Sequence, residues 1–134
     1  MTSKILYLGN LRTKDTHLTS GTVIETDAPL DNNGKGEKFS PTDLVANALG
    51  ACMMTMMGIA ARDKELPLEN TQISIEKIMG SNPRRIVEVK VTIDFPKNAG
   101  INEKDRAYLE HVAINCPVAK SIHSDIKQSV TFNW

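Results

Sequence analysis

The sequence predicts a single α+β domain, residues 1–134, in which an antiparallel sheet packs on one long central helix. Three observations predict it. β-Branched and alternating runs bounded by turn residues lie in the first forty residues, in the middle and at the end of the chain. One uncharged stretch, Leu44 to Ala61, is too long for a strand. Two shorter helical segments follow, opened by Asn102 and by Pro117.

In chain order, Ile5, Tyr7 and Leu18 sit among Thr and Lys, and Ser20-Gly21 is a turn signal before Thr22-Val23-Ile24, which reads as strands. Pro29 to Ser40, rich in Asn, Gly and charge, reads as a mobile loop. Its Gly-Lys-Gly lacks the spacing and the Lys-Ser/Thr ending of a phosphate loop. Past the Leu66-Pro67-Leu68 breaker, Ile73, Ile75 and Met79 alternate with polar residues. After Ser81-Asn82-Pro83, so do Val87, Val89, Val91, Ile93 and Phe95, giving an antiparallel hairpin with one buried face. Asn102 then caps a helix with the stripe Tyr108, Leu109, Val112 and Ala113, which ends at Asn115. A short helix runs from Pro117 to about Ser124 with Cys116 at its cap, and Val130, Phe132 and Trp134 close the fold as a strand.

The long helix opens with Ser40 as N-cap, Pro41 at its first position and Asp43 at its third, and should run to about Lys64. It has no polar face at helical spacing between Leu44 and Ala61, so it should be covered on nearly every side. Its span of roughly 33 Å also matches a bilayer. Asn47, Thr55, two Gly and five Ala leave too little hydrophobicity for that, and a central helix wrapped by sheet, with room for a partner subunit, is the reading favoured. Ala46, Gly50, Met54 and Gly58 recur every four residues, which keeps one face narrow enough for a close neighbour.

Sixteen Lys+Arg balance 16 Asp+Glu. With no basic run, electrostatic capture of nucleic acid or of an anionic membrane is not expected. Two Cys cannot staple a secreted scaffold, and the opening MTSKILYLGNLR does not read as a signal peptide, so a cytoplasmic location is expected. A domain of this length buries roughly 65–70% of its unfolded surface and needs neither metal nor disulfide to fold.

The chemistry therefore rests on the thiols. Cys52 lies in mid-helix, beyond reach of the helix dipole, so its ionisation needs a side-chain cation. An unperturbed thiol titrates near about 8.5, and lowering that by two units takes about 2.7 kcal/mol. A neighbouring opposite charge supplies shifts of that size. Arg12 is the candidate cation, with Arg62 and Arg85 as substitutes. The plainer reading is that Cys52 is a small buried apolar residue. Cys116, before Pro117, can accept from the backbone N–H of Val118 or Ala119, which would make it the more acidic thiol; otherwise it is a simple N-cap. The cysteines lie far apart in sequence with no Cys-x-x-Cys, and His17, His111 and His123 lack ligand spacing, so no metal is expected. Met53, Met54, Met56 and Met57 flank Cys52 and either line an adaptable apolar pocket or fill the core.

Taken together, SPTDLVANALGACM and, further along, CPVAKSI resemble the OsmC/Ohr superfamily of organic-hydroperoxide-detoxifying proteins, over almost the whole chain. The resemblance implies a cysteine-based peroxidase built as an intertwined homodimer with active sites at the subunit interface. Cys52 would be the peroxidatic thiolate and Cys116 the resolving thiol. Arg12 matches an Arg of the N-terminal strands, and a Glu just after the helix-starting Pro would hold that Arg. The sequence departs here: that position is Thr42, which cannot form the ion pair, with Asp43 beside it, which could do so only by sharing its capping role.

The expected chemistry is attack by Cys52 on a hydroperoxide, a sulfenic acid, and a Cys52–Cys116 disulfide, with Thr42, Met53 and Met56 lining the substrate pocket. No bound cofactor is expected; the family precedent suggests an external dithiol, of lipoyl type, as reductant. Two alternatives remain: a non-catalytic dimer that binds an apolar or thiol-reactive small molecule beside Cys52, which Thr42 favours, and a thiol enzyme acting on persulfide or sulfide.

Overall fold

A computed structural model describes residues 1–134. The elements are β1 (Ser3–Gly9), β2 (Arg12–His17), β3 (Val23–Asp27), α1 (Pro41–Arg62), β4 (Gln72–Gly80), β5 (Arg85–Asp94), α2 (Glu103–Ile114), α3 (Pro117–Ser121) and β6 (Lys127–Asn133), with one 3-10 turn at Leu30–Asn32. This is the mixed α+β order expected from the sequence. The chain divides into two units, Met1–Val45 and Ala46–Trp134.

In the first unit β1, β2 and β3 form an antiparallel sheet. Asn10 and Leu11 both have positive φ, 51° and 61°, the backbone that a two-residue hairpin needs to match strand twist. The β2–β3 turn is closed by His17 Nδ1 and Ser20 Oγ at 2.7 Å. Register puts Ile5 and Ile24 on one face of the sheet, and Leu6 and Val23 on the other. All four are exposed.

The segment after β3, expected to be mobile, is stitched back to the strand it leaves. Gly36 N–H donates to Ala28 O at 3.2 Å, and Asp27 N–H to Phe39 O at 3.2 Å. Gly34 is required: a Cβ there would lie 1.7 Å from the Ala28 carbonyl oxygen.

The second unit holds the apolar core. Leu49, Met53 and Met57 of α1, Val89, Val91 and Ile93 of β5, and Leu109 and Ala113 of α2 are fully buried. The β4–β5 hairpin is antiparallel as expected, but β6 pairs with β5 in parallel, from Glu88↔Lys127 to Asp94↔Asn133. The alternation of Val130, Phe132 and Trp134 carries no direction. The helices α2 and α3, lying between β5 and β6, supply the crossover that parallel pairing needs. A register shift at Ile78/Met79 changes the phase of β5, so that Ile86 rather than Val87 is buried.

The helix α1 differs most from expectation. It buries one stripe, Ala46, Leu49, Gly50, Met53, Met57 and Ala61. The close approach predicted for its small residues occurs at Gly50, where a Cβ would lie 2.6 Å from Ile75 Cδ1 and 3.2 Å from Ile73 Cγ2. At Gly58 nothing lies within 4 Å. Ala48, Ala51, Thr55 and Ile59 are exposed, so the helix is not covered all round within the chain. Its last turn closes through Glu65, in the left-handed region at φ 51°. Glu65 N–H donates to Arg62 O, and Leu66 N–H to Ala61 O, the paired bonds of a Schellman stop.

Two smaller differences lie downstream. Tyr108 is exposed rather than part of the buried stripe of α2, with Lys64 Nζ 5.3 Å from its ring centre. The helix α3 stops at Ser121, earlier than expected. At the C-terminus the Trp134 ring stacks on Phe95 at 3.6 Å, and its Nε1 donates to Glu110 at 2.7 Å.

Candidate active site

The structure brings Cys52 and Cys116 together. Cys52 projects from the flank of α1 and is half-buried, packed against the core, whereas Cys116 is fully buried. Both thiols are free, and Cys52 lies close enough to Cys116 to act on it electrostatically. Cys116 is the N-cap of α3, and its sulfur accepts from the Ala119 N–H at 3.5 Å. The cap predicted from Pro117 is therefore present.

Its expected consequence is not. Burial pushes the Cys116 thiol up from its ordinary value, and the nearby Cys52 adds to the rise; the N–H groups of Ala119 and Val118 oppose it without prevailing. The expectation that the cap makes Cys116 an acidic thiol is corrected. A cap sulfur in water would be stabilised as an anion by those N–H groups, but at 0% exposure the lost hydration outweighs them.

Of the methionines around Cys52, Met53 and Met57 are fully buried in the core, while Met54 and Met56 are half-buried against it. Met53 thus fills the interior rather than walling a pocket, because its position on α1 falls on the stripe shared with Leu49 and Met57. Met56 retains an accessible face. Cavities of about 510 and 360 Å³ lie towards the C-terminal end of α1, one between Gly58 and Glu69 and the other beside Tyr108 and Lys104.

Thr42 and Asp43 stand at the start of α1. Asp43 Oδ2 accepts from the Ser40 N–H at 2.8 Å, and the Asp43 N–H donates to Ser40 Oγ at 3.1 Å, a reciprocal capping box. Thr42 Oγ1 lies 3.1 Å from Ser40 Oγ. Asp43 has the capping role that its position predicts.

Arg12 is held by residues that sequence reasoning did not single out. Its Nε donates to Asp27 Oδ1 at 2.7 Å and its Nη2 to Asp27 Oδ2 at 2.8 Å, a fork-on-fork pair; Nη2 also reaches Glu37 Oε2 at 2.7 Å. Asp27 is 1% exposed and Glu37 62%. The Arg12 bond holds the Asp27 carboxyl below its ordinary range, burial opposing, and the two carboxylates raise the guanidinium. A signal for Asp27 was present: folding β2 on β3 about the Ser20-Gly21 turn pairs Arg12 with Asp27, opposite charges on facing positions.

Comparison with known proteins decides the family. Residues 34–131 match the model of the OsmC-like protein family. The chain belongs to the OsmC-like family. This OsmC-like chain is 47% identical to a Psychrobacter arcticus protein named for osmotic stress induction and a detoxification response, over 99% of this chain and 96% of that one, with a TM-score of 0.94. It shares its fold, at 18% identity and a TM-score of 0.76, with a Legionella pneumophila protein named OsmC and organic hydroperoxide resistance protein, covering 98% and 95% of the two chains. It does so too with a Vibrio cholerae protein named for organic hydroperoxide resistance, which has captopril bound in one of its active sites (15% identity, 99% and 92% covered, TM-score 0.74). No curated protein matches the sequence.

Proposed function

We propose that this chain is a cysteine-based peroxidase that reduces organic hydroperoxides in the cytoplasm. Membership of the OsmC-like family supports a peroxide-related role, and two proteins of the same fold are named for organic hydroperoxide resistance. The observation that carries the reading is that a half-buried thiol, Cys52, lies within electrostatic range of a fully buried one, Cys116. The accessible sulfur meets the oxidant, and the sheltered one waits beside it.

In this mechanism the Cys52 thiolate attacks the terminal oxygen of ROOH. An S–O bond forms, the O–O bond breaks, and RO⁻ leaves as the alcohol on taking a proton, so that Cys52 becomes a sulfenic acid. The Cys116 sulfur then attacks Cys52 sulfur. The S–S bond forms, the S–O bond breaks, and the proton that Cys116 has retained leaves with hydroxide as water. Because the thiolate is the nucleophile, Cys116 gives up its proton as it attacks, and burial, which raises the thiol, slows this step. An external dithiol, of lipoyl type, returns the disulfide to two thiols. Arg12 is the cation that the family likeness assigns to the Cys52 thiolate. The exposed apolar faces of the first sheet and the exposed stripe Ala48, Ala51, Thr55 and Ile59 of α1 support assembly as a homodimer.

A second reading, a non-catalytic dimer that binds an apolar or thiol-reactive molecule, is favoured by Thr42 at the position of the family's Glu. Replacing each cysteine by serine separates the two. Under the peroxidase reading Cys52→Ser abolishes cumene hydroperoxide turnover with a dithiol, whereas Cys116→Ser stops at a sulfenic acid that dimedone traps on Cys52. Undiminished turnover in Cys52→Ser contradicts it.

A further inference from the structure

An amide interrupts the core-facing row of β6. Register pairs Gln128 with Val89, Val130 with Val91 and Phe132 with Ile93, and those three partners on β5 are buried, so Gln128, Val130 and Phe132 share the face that packs on the core. An apolar side chain would gain more from that place than an amide does. Gln128 is half-buried there, and its Nε2 donates to the Ala119 carbonyl oxygen at 3.0 Å. That bond is what the amide supplies and Val or Leu would not.

Ala119 carries the effect to the thiol. It is buried in α3, a helix of 5 residues, too short to hold its own shape. Its N–H donates to Cys116 Sγ at 3.5 Å and its carbonyl accepts from Gln128, so one residue joins the cap sulfur to an anchor on β6. Three further bonds are local to α3: Lys120 N–H to Cys116 O at 3.2 Å, Ile122 N–H to Val118 O at 3.1 Å and Ser121 Oγ to Pro117 O at 2.8 Å. They shape the turn without fixing it to the sheet. With the amide removed, the Ala119 carbonyl loses its donor, and α3 restores one from water only by tilting away from β6. The Cys116 sulfur moves with it. We propose that Gln128 is the positioning residue for Cys116: it ties α3 to β6 and, through Ala119, sets where the sulfur stands. This rests on the reading of Cys116 as the resolving thiol, the role in which its position matters.

The test reads Cys116 twice in the full chain carrying Gln128→Met, which fills the same place without a donor. Dithiobisnitrobenzoate, added in equal amount, first exchanges with the accessible Cys52. Cys116 then displaces the second thionitrobenzoate as the Cys52–Cys116 bond forms, and absorbance follows that release without any peroxide. Iodoacetamide measures access to Cys116 in a Cys52→Ser background. Gln128→Met should slow the second release about tenfold or more and speed Cys116 alkylation severalfold. A sulfur displaced from its seat is easier for a reagent to reach and worse placed to bridge to its neighbour. Both rates at wild-type values would mean that Gln128 only fills space, and a rise in both that it only shelters the thiol; either overturns the inference. Should Gln128→Met not fold, Gln128→Glu, of the same shape with an oxygen in place of the N–H donor, decides by the same two rates. A wild type that turns over no hydroperoxide yet gives the second release, with the same changes in Gln128→Met, defeats the peroxidase reading and leaves the inference standing. No second release in the wild type overturns the inference itself.

Discussion

Cys116 caps α3 with the same sulfur on which Cys52 acts. One sulfur thus both starts a helix and interacts with the second thiol. The cap does not acidify it, because burial and the neighbouring Cys52 raise it more than two N–H groups lower it. At neutral pH, iodoacetamide should therefore alkylate Cys52 and leave Cys116 unmodified until the chain is unfolded, since only a thiolate in contact with solvent reacts. Peptide mass mapping over time measures the order. Alkylation of Cys116 first, or of both at one rate, contradicts the burial argument.

Asp27 gives the first unit a defined acid sensitivity. Its carboxyl is depressed by the Arg12 bond, so the folded state binds that proton less readily than the unfolded chain. Its stabilising contribution is present above the unfolded value of about 4 and is lost as pH falls through the folded one. Urea unfolding of wild type and Asp27→Asn should show a stability gap at neutral pH that narrows steadily on acidification below about pH 4. A gap independent of pH would mean that the pair contributes nothing through its charge.

The exposed stripe of α1 leads to a prediction about assembly. Ala51 and Thr55 are exposed on a helix that carries no charge from Leu44 to Ala61. If a second copy covers them, light scattering gives twice the 14.8 kDa of one chain. Ala51→Arg, which places a charge in that contact, then lowers the mass towards that of one chain. A wild-type mass of one chain removes the dimer from the proposal.

Much of the fold was legible because it is written in short-range chemistry. Ser40-Pro41 and Asn102 start helices by satisfying backbone donors, and alternation in β4 and β5 marks a face. What was hidden depends on partners remote in sequence. The parallel pairing of β6 has the same alternation as an antiparallel edge. The phase of β5 turns on one register shift that moves burial from Val87 to Ile86. The even apolarity of α1 does not say which stripe the sheet will cover. Cys52, Cys116 and Arg12 were singled out from residue type and likeness to the family. Asp27 was not, because its importance lies in a cross-strand pairing with Arg12 rather than in any motif. The acidity of Cys116 was misjudged because a cap is visible in sequence and complete burial is not.

The central claim is that Cys52 and Cys116 are a working pair. Intact-mass measurement of the reduced chain after one equivalent of cumene hydroperoxide tests it most directly. The account predicts the loss of two hydrogens per chain, restored by a dithiol and absent in Cys52→Ser and Cys116→Ser. An unchanged mass, or a lasting gain of one oxygen with Cys116 intact, would contradict it.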